Sequence, residues 1–106
     1  MDTYRSYHDL QVHQVEGRDF RVEMRDGSQP VAVMAIHGGG IEPGTADIAD
    51  GVAGNDYACY CFKGIKPTGN RVLHLTANRF DEPRAAALAS TTRSGTCARA
   101  SATRRR

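Results

Sequence analysis

Phe20, Val22 and Met24 alternate with Arg21, Glu23 and Arg25 before Asp26-Gly27, so this stretch predicts a half-exposed strand that ends in a turn. After Gln29-Pro30 comes Val31-Ala32-Val33-Met34-Ala35-Ile36, an unbroken apolar hexamer of the kind found in strands covered on both faces. The hexamer is expected to stop at His37, because His37-Gly38-Gly39-Gly40-Ile41-Glu42-Pro43-Gly44 favours neither regular structure. Thr45 can cap a helix through about Ala53, with Ile48 and Val52 one turn apart on its inner face and Gly54-Asn55 ending it. Tyr57 to Phe62 reads as a second buried strand, residues 64–70 as a loop, and Arg71 to Thr76 as a third strand. Glu82-Pro83 opens a final helix through about Ala89, while the first 17 residues keep no clean period.

Strand, loop, helix and strand within one short stretch make a βαβ unit, which predicts an α/β fold with a mainly parallel or mixed sheet flanked by helices. Ligands in such sheets collect beyond the carboxyl ends of the strands. His37 stands at that end of the most apolar strand, Asn70 precedes the third, and His74 lies inside the third or near its end.

Composition alters this picture at one end only. The chain has 106 residues, 40% hydrophobic and 25% charged, which allows a single ordinary core. Residues 1–83 hold 8 Lys+Arg against 12 Asp+Glu, whereas residues 84–106 hold six Arg and no acid. Twenty of those last 23 residues are Ala, Arg, Thr or Ser, too little apolar surface to offset the entropy of ordering them. The expected division is therefore an incomplete α/β domain over 1–89 and a disordered tail over 90–106. Without its cover, the apolar strands are expected to favour self-association. No apolar run approaches the roughly 18 residues of a membrane span, and the charged N-terminus does not resemble a signal peptide, so a cytoplasmic location is expected. Cys59, Cys61 and Cys97 form neither an even set nor a CxxC pair, which argues against a disulfide framework. Cys59 and Cys61 should share one face of a strand and pack there.

The glycine loop restricts the chemistry. Pro43 stands where a dinucleotide fingerprint needs its third glycine, and Thr45 where a phosphate-binding loop needs lysine. His-Gly-Gly-Gly is also the oxyanion loop of esterases, but the chain has no Gly-x-Ser-x-Gly elbow. A metal remains as the chemical option: His37 and Glu42 offer an imidazole and a carboxylate, both ordinary zinc ligands, from the two ends of a flexed loop, although spacing alone favours the alternative of a His and a Glu on a surface turn.

The segments Ala35 to Thr45, Phe62 to Lys66, Gly69-Asn70, Leu73 to Thr76 and Phe80 to Pro83 resemble the phage-related poly-γ-glutamate hydrolase family, in its order and close to its spacing. The resemblance covers about residues 30–83. It implies an incomplete zinc carboxypeptidase-like fold and zinc-dependent hydrolysis of amide bonds made through the glutamate side chain. His37 and Glu42 match the first two zinc ligands, while Asn70 and His74 fall in the block expected beside the substrate. Arg79 is a candidate for gripping a substrate carboxylate, and Lys63 and Lys66 for attracting an acidic polymer.

The family pattern is expected to end at Pro83, where a further strand and a third zinc-binding histidine would follow. No histidine follows His74, and an Ala/Arg/Ser/Thr composition is what a GC-rich gene gives when read out of frame. These features predict a truncated or frameshifted hydrolase, weakly active or inactive. The alternative is a non-catalytic module that binds polyanions through the basic tail. Nucleic acid is not the expected partner, since the arginines lack interleaved aromatics.

Overall fold

The computed structural model describes residues 2–28, 31–91 and 97–99. Its elements are α1 (Tyr7–His13), β1 (Phe20–Arg25), β2 (Ala32–Gly39), α2 (Thr45–Ala53), β3 (Ala58–Gly64), α3 (Pro83–Thr91) and β4 (Cys97–Arg99), with short 3₁₀ turns at Asn70–Leu73 and Ala77–Arg79. Among the described residues four strands form one mixed sheet in the order β1-β3-β2-β4. β2 runs parallel to β3 and to β4, and β1 runs antiparallel to β3. The β2-α2-β3 crossover is the predicted βαβ unit, so the expected α/β class holds.

Period-two alternation divides the buried strands between two cores. Met34, Ile36, Tyr60 and Phe62 face Tyr7, Leu10, Phe20, Leu73 and Leu75. Val33, Ala35, Cys59 and Cys61 face Ala46, Ala49 and Ala53 of α2. The alanines correct the expected inner face of α2: Val52 is 49% exposed. Small side chains let the helix axis lie close to the sheet, and Ala46, Ala49 and Ala53 provide that stripe. Its cap also differs from expectation. Gly44, at φ 95°, is the N-cap, and Thr45 is buried with its hydroxyl donating to the carbonyls of His37 and Glu42.

Three other expectations change. Tyr7–His13 is a helix capped by Ser6, whose Oγ accepts the Asp9 N–H; only Tyr7 and Leu10 are buried in it, so its period was not visible. β2 continues through Gly38 and Gly39 instead of stopping at His37, because parallel pairing with β3 brings the two backbones close. A Cβ at Gly39 would lie 2.5 Å from the Gly64 carbonyl oxygen. The third strand is not formed. Leu73 and Leu75 are fully buried as the alternation requires, but the Thr76 N–H donates to Asp2 Oδ2 and the Leu75 carbonyl accepts from His37, so these groups bond to side chains and not to a neighbouring strand.

The last helix begins at Pro83 as predicted and reaches Thr91. Glu82, 1% exposed, anchors its start by accepting the backbone N–H groups of Arg84 and Ala85 and the Tyr60 hydroxyl. Within the segment read as a tail, Cys97–Arg99 pair with Ala32, Val33 and Met34 of β2. Residues 92–96 and 100–106 of that segment lie outside the described residues.

Candidate metal centre

A bulge in β2 aims His37. From Ala35 to Gly38 β2 advances three residues, while its partner β3 advances two, from Cys61 to Lys63. The extra residue breaks the alternation that would have kept His37 on the α2 side with Val33 and Ala35. The imidazole instead meets the 73–76 segment: its Nε2 lies 2.7 Å from the Leu75 carbonyl oxygen. A carbonyl only accepts, so Nε2 carries a proton, and Nδ1 is the ring nitrogen left to face Glu42. Nδ1 faces Glu42 Oε1 at 3.4 Å, with the two side chains 14% and 28% exposed.

Tight turns bring Glu42 to this position. Gly40 N–H donates to the Gly64 carbonyl, Ile41 N–H to Gly38, and Thr45 Oγ1 holds the carbonyls of both His37 and Glu42. The strand end, the loop and the start of α2 are therefore tied at one point.

His74 stacks on His37, ring centroids 4.0 Å apart and planes 20° apart. Its Nδ1 is 3.0 Å from Asp2 Oδ1, and Asp2 Oδ2 accepts from both the N–H and the hydroxyl of Thr76 at 2.7 Å. Although burial alone would raise the Asp2 carboxyl, the bonds from Thr76 and His74 hold it down at about 2. Asp2 is a supporting residue that the unpatterned N-terminus did not reveal.

Glu42 and His74 open onto a cleft of about 590 Å³, whose wall also includes Arg71, Ile41 and Thr3. Arg71 carries an exposed cation in this wall, on the turn that His74 terminates. Its place between Asn70 and His74 was the one available signal. The other predicted substrate residues lie differently. Asn70 uses its amide internally, accepting the Lys66 N–H and donating to the Lys66 carbonyl, both at 2.9 Å. It packs against Gly40 and Gly64, where an added Cβ would approach the amide to 2.5 and 2.6 Å. Arg79 is exposed on the Ala77–Arg79 turn and is not part of the cleft wall. Lys63 pairs with Glu23 and Lys66 donates to Gln14. Arg84, counted with the basic tail, is bound to Glu16 and Glu82.

The sequence model of the poly-gamma-glutamate hydrolase family matches residues 4–98. The chain belongs to this family. The match extends past both ends of the 30–83 stretch, taking in α1, α3 and the first part of β4, so the family pattern does not end at Pro83. Relatives in Bacillus subtilis (strain 168) include UPF0714 protein YndL, 43% identical over 84 residues. The SPbeta prophage-derived UPF0714 protein YoqZ is 34% identical over 84 residues. Each alignment covers 79% of this chain but only 32% and 30% of the relative, so the chain spans about a third of their length.

Two solved structures share the fold. A zinc-free apo form of YndL superposes with a TM-score of 0.77 at 40% identity, covering 84% of this chain and 43% of that one. A bacteriophage poly-γ-glutamate hydrolase gives 0.77 at 31% identity, covering 86% and 44%.

Proposed function

We propose that the chain is the N-terminal portion of a zinc-dependent hydrolase of γ-glutamyl amide bonds in poly-γ-glutamate. In this reading His37 and Glu42 supply two of three metal ligands, and the chain alone has little or no turnover. The supporting observation is the separation of His37 Nδ1 from Glu42 Oε1, 3.4 Å. Two donors each about 2.1 Å from a tetrahedral zinc stand about 3.4 Å apart. The pair also has the right chemistry, an imidazole nitrogen and a carboxylate, and the Leu75 carbonyl fixes the imidazole from behind as outer partners of zinc histidines do. These residues fit the ion, and the name of the zinc-free YndL structure is consistent with a metal site in the family.

Zinc bound there would supply a Lewis acid for amide hydrolysis. The chain's own residues bind and orient. Arg71, in the cleft wall beside Glu42, would hold a substrate carboxylate, the group that recurs along an acidic polymer. His74, fixed by Asp2, would present its remaining ring nitrogen as a hydrogen-bonding group. Asn70 would act by shaping the loop under Gly40 and Gly64. Low turnover follows from the ligand count, because catalytic zinc sites use three protein groups.

The experiment pairs elemental analysis after dialysis with depolymerisation of γ-linked polymer in added zinc. Weakly held zinc, lost in His37→Ala and Glu42→Ala, is expected. Cleavage should be absent here and present when the chain is continued with the C-terminal part of a relative. One tightly held zinc, unchanged by either substitution, would sink the assignment.

A further inference from the structure

Away from the metal centre, β3 carries two thiols on one face. Cys59 and Cys61 are two residues apart on the strand, and their sulfurs lie 3.9 Å from each other. They form part of the floor of a groove of about 340 Å³ between β1 and α2. Ala46 and Asp50 of α2 line one side. On the other, Arg25 is the β1 partner of Cys59 and Glu23 that of Cys61. Arg25 crosses the groove to α2, donating to Asp50 Oδ1 at 2.5 Å and to the Gly54 carbonyl at 2.8 Å. Lys63, the next residue on this face of β3, supplies a second cation.

We propose that this groove is a second binding site, in which Cys59 and Cys61 together chelate a soft monovalent metal ion of the copper(I) and silver(I) class. Thiolate pairs select soft ions over the harder metals that carboxylates hold. Among the described residues no group of three His, Cys, Asp or Glu side chains is placed to hold a metal, which favours an ion satisfied by two sulfurs over zinc with its four ligands. Two thiolates around a monovalent ion leave one net negative charge; Arg25 and Lys63 border it, each already paired with a carboxylate of the groove wall, Asp50 and Glu23 respectively, and Asp47 stands in the same wall. The Cys59 thiol is already drawn down to about 7, chiefly by the bond from Cys61 and further by Arg25, against the opposing effect of burial. The same bond and burial push the Cys61 thiol well up, so one proton leaves readily near neutral pH and the second leaves only in exchange for the metal ion. The Arg25 bridge, exposed at both ends, would swing aside for entry.

The test uses the reduced full chain carrying Cys97→Ser, titrated anaerobically with silver(I) and copper(I) against a coloured competing chelator. A single equivalent should bind with a near-ultraviolet sulfur-to-metal band, and that binding should be lost in Cys59→Ala and in Cys61→Ala. Arg25→Ala should load faster. Because either cysteine substitution disturbs a packed strand, alkylation mapping of the otherwise intact protein gives a second reading: bound metal should protect both thiols from a maleimide. Absence of binding, binding that survives loss of either thiol, or unchanged alkylation would each overturn the proposal.

Discussion

The imidazoles of His37 and His74 lie ring over ring, their centroids 4.0 Å apart, yet each is held by a different acceptor. His37 is fixed by the Leu75 carbonyl and His74 by the carboxylate of Asp2. A residue at the start of the chain thereby sets one wall of a site built mainly on β2.

That dependence gives a pH signature. The folded Asp2 carboxyl, at about 2, lies below its ordinary 3.8, so its stabilisation is complete above about pH 4 and lost as pH falls toward 2. Asp2→Asn should cost on the order of 1 kcal/mol at pH 7, a figure kept small because the site borders solvent. Denaturant titrations of both proteins should show the difference shrinking across that acid window. A difference independent of pH would mean that the carboxylate charge is not what matters.

Gly40→Ala should destabilise the fold by about 1–3 kcal/mol, the usual range for overpacking, because its methyl would meet the Asn70 amide at 2.5 Å. Gly51 in α2 is the control: nothing lies within 4 Å of an added Cβ, so Gly51→Ala should stabilise by about 0.5–1 kcal/mol. Thermal melts of the two variants should move in opposite directions.

Tyr60 and Glu82 meet in the core through a 2.5 Å bond. Tyr60→Phe should cost about 1–3 kcal/mol by leaving one acceptor of Glu82 without its donor. A double-mutant cycle with Glu82→Gln should return a coupling above roughly 0.5 kcal/mol. Simple additivity would show that the two side chains act independently.

Arg71→Ala should weaken binding of a γ-linked glutamate oligomer about tenfold or more, the loss of one charge-assisted hydrogen bond. Arg79→Ala should leave it nearly unchanged, since Arg79 is not in the cleft wall. Calorimetry on the zinc-supplemented chain separates the two, and the reverse ranking would restore Arg79 as the carboxylate grip.

The sequence by itself determined the βαβ unit, the two-faced burial of β2 and β3, the start of α3 and the His37–Glu42 pair. Each rests on local information: unbroken apolar runs, turn residues, and two donors joined by a short loop. Tertiary structure decided what local pattern cannot carry. Leu73 and Leu75 alternate like a strand, but their burial is achieved in a segment where backbone groups bond to Asp2 and His37. Ala46, Ala49 and Ala53, and not Ile48 and Val52, form the main packing face of α2, a choice made by which helix face meets the sheet. Above all, His37 reaches its partners through one extra residue in β2 relative to β3. Register is a property of two strands together, so no reading of either strand alone contains it.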